Sequence, residues 1–339
     1  MTVATNSEWT QSLSDLIEGF WTTQLIGTAV AVGIPDKLAA GALSYQEVAQ
    51  SCEAEPNSVL RLLRALQTIG VCRGTEHSQF GLTDKGRLLC TGVPGSMRGR
   101  ALFASGLLWK LFGDLESAVR TGRPSQRITL GREGFDQLAH DPGLAGMHQA
   151  MVESSIKVVS AAADAHGFER YSRVLDVGGG YGGALTALLQ RNPRMRGDVL
   201  DLGYLESQAS EYLRRAGVAE RARFIAGDFF ESVPPGYDCY LLKYIIHDWD
   251  DAHALSILRS CAAAAAPSAE IVLLERVLPA ELNETHRAIA QIDLAMMMTN
   301  GKERTEEEYR RLMGSAGLRV LTVTPAASGC SVIRAASAG

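Results

Sequence analysis

Residues 173–183 have the sequence RVLDVGGGYGG, a short apolar run followed by glycine at five of six positions. An apolar run bounded by glycines predicts a buried strand, and the residues that follow, ALTALLQRN, predict a helix. Glycines in such a turn let the backbone bend sharply and approach a ligand, while the helix N-terminus offers free N–H groups. The stretch therefore predicts a strand–turn–helix unit with a ligand site at the turn.

Four more apolar runs follow this unit: GDVLDL, RFIAGDFF, YDCYLLKYII and AEIVLLERVL. Helical stretches separate them, and strands alternating with helices indicate βαβ units around a buried parallel sheet. The tail LRVLTVTPAASGCSVIRA, residues 318–335, contains two further runs around a Pro/Gly turn, which predicts an antiparallel hairpin at the sheet edge. The fold class is therefore α/β and Rossmann-like.

The N-terminal part of the chain has a different pattern. Residues 43–71 place leucines at helical spacing, and Ser44 with Glu47 resembles a capping box. Residues 71–89 alternate apolar and polar side chains around a polar turn, which predicts a two-stranded wing and a short helix. The segment predicts a winged-helix module. The apolar, nearly uncharged stretch at residues 20–34 predicts core or interface.

The length and charge limit the possible classes of protein. A chain of 339 residues exceeds what one core usually supports, so two domains are expected. The net charge of −5, and only seven basic against five acidic residues in 41–100, disfavour a nucleic-acid partner. A winged-helix regulator is the non-enzyme alternative. The chain begins without a signal-peptide pattern and contains no run of about 18 apolar residues, so we expect a cytoplasmic protein without a membrane partner.

Two classes of cofactor could use the glycine turn. Gly178, Gly180 and Gly183 fit G-x-G-x-x-G, and Asp201 ends the next strand, where an acid can bind a ribose hydroxyl pair. One interpretation is therefore that the turn binds a dinucleotide and that the protein is a nicotinamide-dependent dehydrogenase.

The acids around the turn favour a different cofactor. Asp176 lies two residues before the first glycine, and Asp228 follows the third strand. One acid per strand end suits a zwitterionic ligand without phosphates, with Asp201 on the ribose and Asp228 on the adenine amine. S-Adenosylmethionine fits that description. The alternative for Asp176 is a cap on the turn.

A histidine follows the fourth strand, in the run LLKYIIHDWDD at residues 241–251. Ligands of open α/β sheets bind beyond the carboxyl ends of strands, so His247 is expected to face the crevice. Its ordinary pKa near 6.5 leaves it neutral often enough at pH 7 to accept a proton. Asp248 is adjacent, but neighbours along an extended chain point apart, so Glu275 or Glu303 could orient the ring instead.

His247 has two alternative roles. It could be a structural histidine or a cap on the following helix. A metal site with Asp251 and His253 is disfavoured because only His247 and Asp251 have i,i+4 spacing. We therefore predict no metal.

Several motifs together resemble a known family. DVGGGYGG, the acid of VLDL, GDFF, LLKYIIHDWDD, LLERVLP and NGKERTEEEYRRLMGSAGL resemble the S-adenosylmethionine-dependent O-methyltransferases of the caffeic-acid type, whose bacterial relatives methylate aromatic antibiotics. The resemblance covers nearly the whole chain. It implies a class I methyltransferase fold and a homodimer, with a winged-helix dimerisation domain at 1–100, a helical connector lining the active site at 101–165 and a catalytic domain at 166–339.

The resemblance also implies roles for single residues. His247 would be the general base for a phenolic hydroxyl, with Glu275 and Glu303 beside it. The cofactor would be S-adenosylmethionine, and the residues we predict to bind it are Asp176, Gly178, Gly180, Asp201, Leu202, Asp228, Phe229 and Lys243. The segments implied to line the acceptor pocket contain Met147, Met151, Trp249, Met296, Met297 and Asn300.

Two qualifications belong to the resemblance. Leu202-Gly203 stands where the family commonly has Leu-Pro, which leaves Asp201 in place but changes the loop on the adenine side. Some relatives with this fold decarboxylate, hydroxylate or catalyse pericyclic reactions instead. The presence of His247 favours methyl transfer over those reactions. For the methionines implied at the acceptor pocket, the alternative role is ordinary packing in the core.

Overall fold

The computed structural model describes residues 6–74, 79–125 and 145–339. They divide into two compact units, one within Met1–Lys110 and Pro142–Ala150, the other within Leu111–Asp141 and Met151–Gly339. In the described residues, no helix is both long and apolar enough to span a bilayer.

The first unit consists of helices and a small antiparallel sheet of order β1-β3-β2. Its capping box is confirmed, because Ser44 Oγ accepts from the backbone N–H of Glu47 while the Glu47 carboxylate accepts from that of Ser44. The strands β2 and β3 form the predicted wing. The described elements up to residue 121 are α1 (Asn6–Ile17), α2 (Phe20–Val32), α3 (Ile34–Leu38), β1 (Leu43–Ser44), α4 (Tyr45–Ser51), α5 (Pro56–Thr68), β2 (Cys72–Gly74), β3 (Gln79–Leu82), α6 (Asp84–Arg87), α7 (Arg98–Ser105), α8 (Leu107–Gly113) and α9 (Leu115–Thr121). Of these, α9 and the last residues of α8 belong to the second unit.

The second unit contains a seven-stranded sheet of order β11-β12-β8-β7-β4-β5-β6. Strands β4 to β8 are parallel, and β12 pairs antiparallel with both β8 and β11. The α/β fold and its edge hairpin are therefore confirmed. Its described strands are β4 (Arg173–Val177), β5 (Arg196–Asp201), β6 (Ala222–Ala226), β7 (Cys239–Lys243), β8 (Glu270–Glu275), β9 (Val277–Leu278), β10 (Arg304–Thr305), β11 (Leu318–Pro325) and β12 (Ser331–Ser337). The helices described after residue 144 are α10 (Ala145–His166), α11 (Gly183–Arg191), α12 (Glu206–Arg215), α13 (Asp251–Ala264), α14 (Arg287–Met296) and α15 (Glu306–Ser315).

The central strands are buried on both faces, which explains their nearly continuous apolar runs. Val174 and Leu241 pack into one apolar cluster, whereas the next residues, Leu175 and Leu242, pack into the other. Successive side chains of a strand point to opposite faces, so both faces of the sheet carry core. Because the strands are parallel, their carboxyl ends meet at one edge, where the predicted site residues follow β4, β5, β6 and β7 and end β8.

Candidate active site

The glycine turn after β4 has the backbone geometry that its sequence predicts. Gly178 and Gly180 have φ of +69° and +59°, which other residues rarely adopt. A Cβ on Gly178 would lie 2.6 Å from Ile245 and 3.3 Å from Phe229. A Cβ on Gly180 would meet no described atom within 4 Å. The turn therefore packs tightly on one side and leaves open space beside Gly180.

Asp201 connects the end of β5 to this turn. Its carboxylate accepts from the backbone N–H of Gly180 and from that of Leu202, both at 2.7 Å. Burial raises the pKa of Asp201, although these two hydrogen bonds favour its charged form. Asp201 therefore fixes the shape of the open turn.

Asp176 lies beneath the turn and is 1% exposed. Its carboxylate accepts from the backbone N–H of Leu185, in the first turn of α11, at 3.2 Å. Burial raises the pKa of Asp176 to about 6. This bond is the one that the capping alternative requires, so Asp176 supports the start of α11. Its role in binding the cofactor stays a prediction.

Aromatic side chains lie next to the glycine turn. Phe229 and Phe230 follow β6 with ring centroids 4.9 Å apart, and Asp228 accepts from the Phe230 N–H at 2.8 Å. Trp249 packs edge-on against Phe230, at 4.8 Å between centroids. Trp249, which the resemblance implies at the acceptor pocket, packs against Phe229 and Phe230, and its role stays a prediction.

His247 is buried among carboxylates. Its Nδ1 lies 2.9 Å from Glu303 Oε1 and 3.9 Å from Glu275 Oε2, and its Nε2 lies 3.5 Å from Asp248 Oδ1. Burial by itself would lower the pKa of His247, but the charges of Glu275, Asp248 and Glu303 outweigh burial and raise it to about 9. The ordinary pKa used in the sequence analysis therefore does not apply to this ring, because carboxylates from distant positions meet at it.

The position of Asp248 also corrects the sequence analysis. Ile246–Asp248 form a 3₁₀ turn, not extended chain, so the side chains of His247 and Asp248 lie near each other. Glu275 holds this turn, since its Oε1 accepts from the N–H groups of Ile245 and Ile246 at 3.1 and 2.8 Å. Glu275 is fully buried, and burial raises its pKa to about 7.

Glu303 reaches the histidine through the pairing of two short strands. β10 runs parallel to β9, with Arg304 opposite Val277, so Glu303 lies next to the chain leaving β8. Its backbone N–H donates to Asp293 of α14 at 2.9 Å. The predicted catalytic set of His247, Glu275 and Glu303 is thus brought together.

Sequence reasoning missed two residues at this cluster, Tyr244 and Arg276. Tyr244 has φ of +53°, and its ring stacks on the imidazole of His247 at 5.3 Å and 23°. The Arg276 guanidinium lies 4.1 Å from the centre of the same ring and 3.5 Å from Glu303. A tyrosine in the left-handed region leaves no periodic signal. Its place inside LLKYIIHDWDD was the only available indication.

Lys243 lies between the two groups of site residues. Its ammonium is 4.8 Å from the centre of the Tyr244 ring. Burial lowers the pKa of Lys243, and the charges of Asp176, Glu275 and Asp248 oppose that shift. Lys243 therefore shares the field of the acids beneath the glycine turn and beside His247.

The other residues predicted for the acceptor pocket come from α10 and from the end of α14 and the segment after it. Met296 ends α14 and Met297 follows it, both partly buried, and Met151 on α10 is exposed. Asn300 is exposed, and its amide donates to Asp250 at 3.1 Å. The side chain of Met147 lies outside the described residues.

A metal ion is not assigned to the cluster. Donor atoms of His247, Glu275 and Glu303 lie within 4.8 Å of one another. However, Nδ1 is already bonded to Glu303, which also pairs with Arg276. In the set considered from sequence, His253 contacts Asp250 at 2.8 Å, and Asp250 caps α13.

Comparison with known proteins identifies the class of this chain. Residues 112–319 match the O-methyltransferase domain and residues 14–92 match the O-methyltransferase dimerisation domain. The chain belongs to the O-methyltransferase family. It is an S-adenosylmethionine-dependent O-methyltransferase.

Relatives and solved structures cover nearly the whole chain. The phenazine O-methyltransferase of Lysobacter antibioticus is 33% identical over 95% of each chain. Aclacinomycin 10-hydroxylase of Streptomyces purpurascens is 33% identical over 88% of this chain and 81% of that one. The crystal structure of LaPhzM has a TM-score of 0.94 and 32% identity, covering 97% of this chain and 99% of that one.

A further solved structure contains ligands. It is an O-methyltransferase from neocarzinostatin biosynthesis in complex with S-adenosylmethionine and 2-hydroxy-5-methyl naphthoic acid. Its TM-score is 0.80 and its identity 31%, over 93% of this chain and 96% of that one.

The residues at the sheet edge fit S-adenosylmethionine. The open space beside Gly180 admits a ligand against the backbone, and Asp201 carries acceptors for a ribose. Residues 178–183 contain no Lys or Arg to hold a pyrophosphate. Phe229 supplies an apolar surface next to Gly178 for a flat ring.

Proposed function

We propose that this enzyme methylates a phenolic hydroxyl of a small aromatic metabolite, with His247 as the general base. The observation that carries the proposal is the buried His247, bonded to Glu303, at the same sheet edge as the glycine turn. S-Adenosylmethionine would be held by Gly178, Gly180, Asp201, Leu202, Asp228, Phe229 and Lys243, with Asp176 acting through the turn. When bound, the cofactor supplies an electrophilic methyl group on a sulfonium.

The protein's task is to align the acceptor oxygen and to remove its proton. Nδ1–H of His247 donates its hydrogen bond to Glu303. Nε2 is therefore the nitrogen that takes the proton from the substrate hydroxyl. A phenol with a pKa near 10 is mostly protonated at pH 7, and a positioned base typically contributes about 10²–10⁴-fold. Glu275 keeps the turn that carries His247 in place.

The raised pKa of His247 determines how this step depends on pH. With a pKa of about 9, the imidazole carries a proton at pH 7 and must lose it before it can act as the base. The neutral fraction of His247 grows as the pH rises through that pKa. The rate should therefore rise with pH toward about 9.

Aromatic acceptors are supported by the relatives and by the residues near the site. The similar proteins include a phenazine O-methyltransferase and a naphthoic acid complex. We propose that Met151, Met296 and Met297 line the acceptor pocket, as flexible apolar side chains suited to flat rings. We also predict that Met147, Trp249 and Asn300 contact the acceptor.

The proposal includes the domain boundaries and a homodimer. Residues 1–100 would form the dimerisation domain, 101–165 the connector and 166–339 the catalytic domain. The match of residues 14–92 to the dimerisation domain and the exposed apolar side chains of α1 support an interface in the first domain.

The alternative is a reaction without methyl transfer, since one relative is a hydroxylase. Incubating the protein with methyl-labelled S-adenosylmethionine and a panel of aromatic hydroxy compounds separates the two. We expect a product heavier by one labelled methyl group. Conversion of a compound without incorporation of label would favour the alternative.

A further inference from the structure

Arg304 is a fully buried cation near the candidate base. Its exposed fraction is 0%, and its guanidinium donates to Ile246 O and to Trp249 O, each at 2.8 Å. Two of its nitrogens also bind Asp251 Oδ1, at 3.0 and 2.8 Å. Burying a charge is unfavourable unless the charge is paired and hydrogen-bonded. These contacts compensate for the lost hydration of the guanidinium. These partners lie on the loop that carries His247 and, for Asp251, at the first residue of the helix that follows it.

The residues just before Arg304 contact the same loop. The Lys302 N–H donates to His247 O at 2.9 Å. A Cβ on Gly301 would lie 2.1 Å from His247 O and 2.7 Å from the carbonyl carbon of Asp248, so the two backbones are in direct contact. Residues 301–304, named here the clamp segment, therefore contact the loop on both sides of His247.

The clamp segment also carries Glu303, which binds the imidazole at 2.9 Å. The backbone of the loop and the ring of His247 are thus held by one stretch of four residues. Glu275 holds the N–H groups at the start of the turn from the other side. A shift of the clamp segment relative to the loop would therefore change the distance between His247 Nδ1 and Glu303 Oε1.

We propose that Arg304 is a positioning residue that fixes His247 against Glu303 by holding the backbone carbonyls on both sides of the histidine. The inference rests on the proposed function, in which His247 is the base. Arg304 touches no reacting atom, since its donors are used on Ile246, Trp249 and Asp251. Its effect on the reaction passes through the position of the imidazole.

A titration of His247 by NMR in the full-length protein tests this proposal without measuring activity. The imidazole lies beside the carboxylates of Asp248, Glu275 and Glu303 and stacks on the Tyr244 ring. The cations of Lys243 and Arg276 lie against that same Tyr244 ring. Its signal is assigned by its loss in His247→Asn. Loss of Arg304 as a nearby cation would raise the pKa of His247, whereas displacement from Glu303 would lower it. The sign of the shift therefore distinguishes the two effects.

The variants are Arg304→Met, Arg304→Lys and Gly301→Ala. Arg304→Met leaves Asp251, which is 61% exposed, to water and to Lys302. Gly301→Ala disturbs the same contact with no change of charge. We expect Arg304→Met and Gly301→Ala each to lower the pKa of His247 by about one unit. This is the low end of what an opposite charge at close range contributes. Arg304→Lys, which keeps the charge and part of the bonding, should show the smallest shift.

Matched controls come from the exposed face of α15. Arg311→Met removes an arginine paired only across one helical turn, and Gly314→Ala adds a Cβ that meets no described atom within 4 Å. Both should leave the titration unchanged. In the clamp variants, turnover should fall by about 10-fold or more while affinity for S-adenosylhomocysteine is retained, since small misplacement of a catalytic group is costly.

A folded clamp variant that binds S-adenosylhomocysteine normally and keeps the wild-type pKa and turnover would overturn the proposal, as would a raised pKa. If Arg304→Met does not fold, Arg304→Lys and Gly301→Ala decide. If no acceptor is ever methylated, the proposed function fails, but the titration still measures whether Arg304 positions His247.

Discussion

The Nδ1 of His247 lies 2.9 Å from Oε1 of Glu303, and both side chains are buried. A carboxylate only accepts hydrogen bonds, so Nδ1 carries the hydrogen and Nε2 is directed to other partners. Fifty-six residues separate the two in sequence. The pairing of β9 with β10 is what brings them together.

Glu303→Gln should move the rising limb of the pH profile of kcat/KM to lower pH. The Glu303 charge helps to raise the pKa of His247, so its removal lowers that pKa, by about 1–3 units for a close opposite charge. Turnover at the optimum should fall because the imidazolium is less stabilised. The acceptor substrate is chosen so that its own hydroxyl does not titrate within the pH range of the profile.

Glu307→Gln is the matched control, since Glu307 is 79% exposed on α15. Its profile should overlay that of the wild type. A Glu303→Gln limb in the wild-type position would show that Glu303 does not govern the charge of His247.

Asp201→Ala should weaken binding of S-adenosylhomocysteine by about 1–3 kcal/mol, the range for leaving buried polar partners unsatisfied. The substitution frees the N–H groups of Gly180 and Leu202 and removes the acceptors expected to bind the ribose. Calorimetry measures the change, with the exposed Asp164→Ala as control. Unchanged affinity in Asp201→Ala, or tight binding of NAD to the wild type, would contradict the cofactor assignment.

Ile17→Lys should weaken the homodimer. Ile17 on α1 is 65% exposed, and a cluster of apolar side chains so open to water suggests an interface. Other exposed apolar residues of α1 and α2 are Trp9, Leu13, Leu16, Phe20 and Trp21. Light scattering at micromolar concentration should give a dimer for the wild type and for Gln11→Lys, on the opposite side of α1. A monomeric wild type that is fully active would argue against this interface.

The strands of the sheet were predictable because each is a short apolar run bounded by glycine or polar residues. β4 with its glycine turn and the β11–β12 hairpin depend on local sequence alone. The approach of His247 to Glu275 was also predictable in outline, because the parallel strands β7 and β8 end together. Glu303 arrives by the separate pairing of β9 with β10.

The remaining features depend on contacts that no local pattern encodes. The raised pKa of His247 depends on the charges of three carboxylates at one ring, two of which, Glu275 and Glu303, come from remote segments. Asp248 was misplaced because a 3₁₀ turn replaced extended chain. The positive φ of Tyr244 and the burial of Arg304 follow from tertiary packing, and neither has a periodic signature.

The most direct test of the account is the single-turnover rate of methyl transfer in His247→Asn against wild type, measured across pH with saturating S-adenosylmethionine and an active acceptor. The account predicts a rate lower by about 10²–10⁴-fold in the variant. It also predicts loss of the limb that rises toward pH 9 and cofactor affinity within a few-fold of wild type. A variant that transfers the methyl group within a few-fold of the wild-type rate, with the same pH profile, would contradict the assignment of His247 as the base.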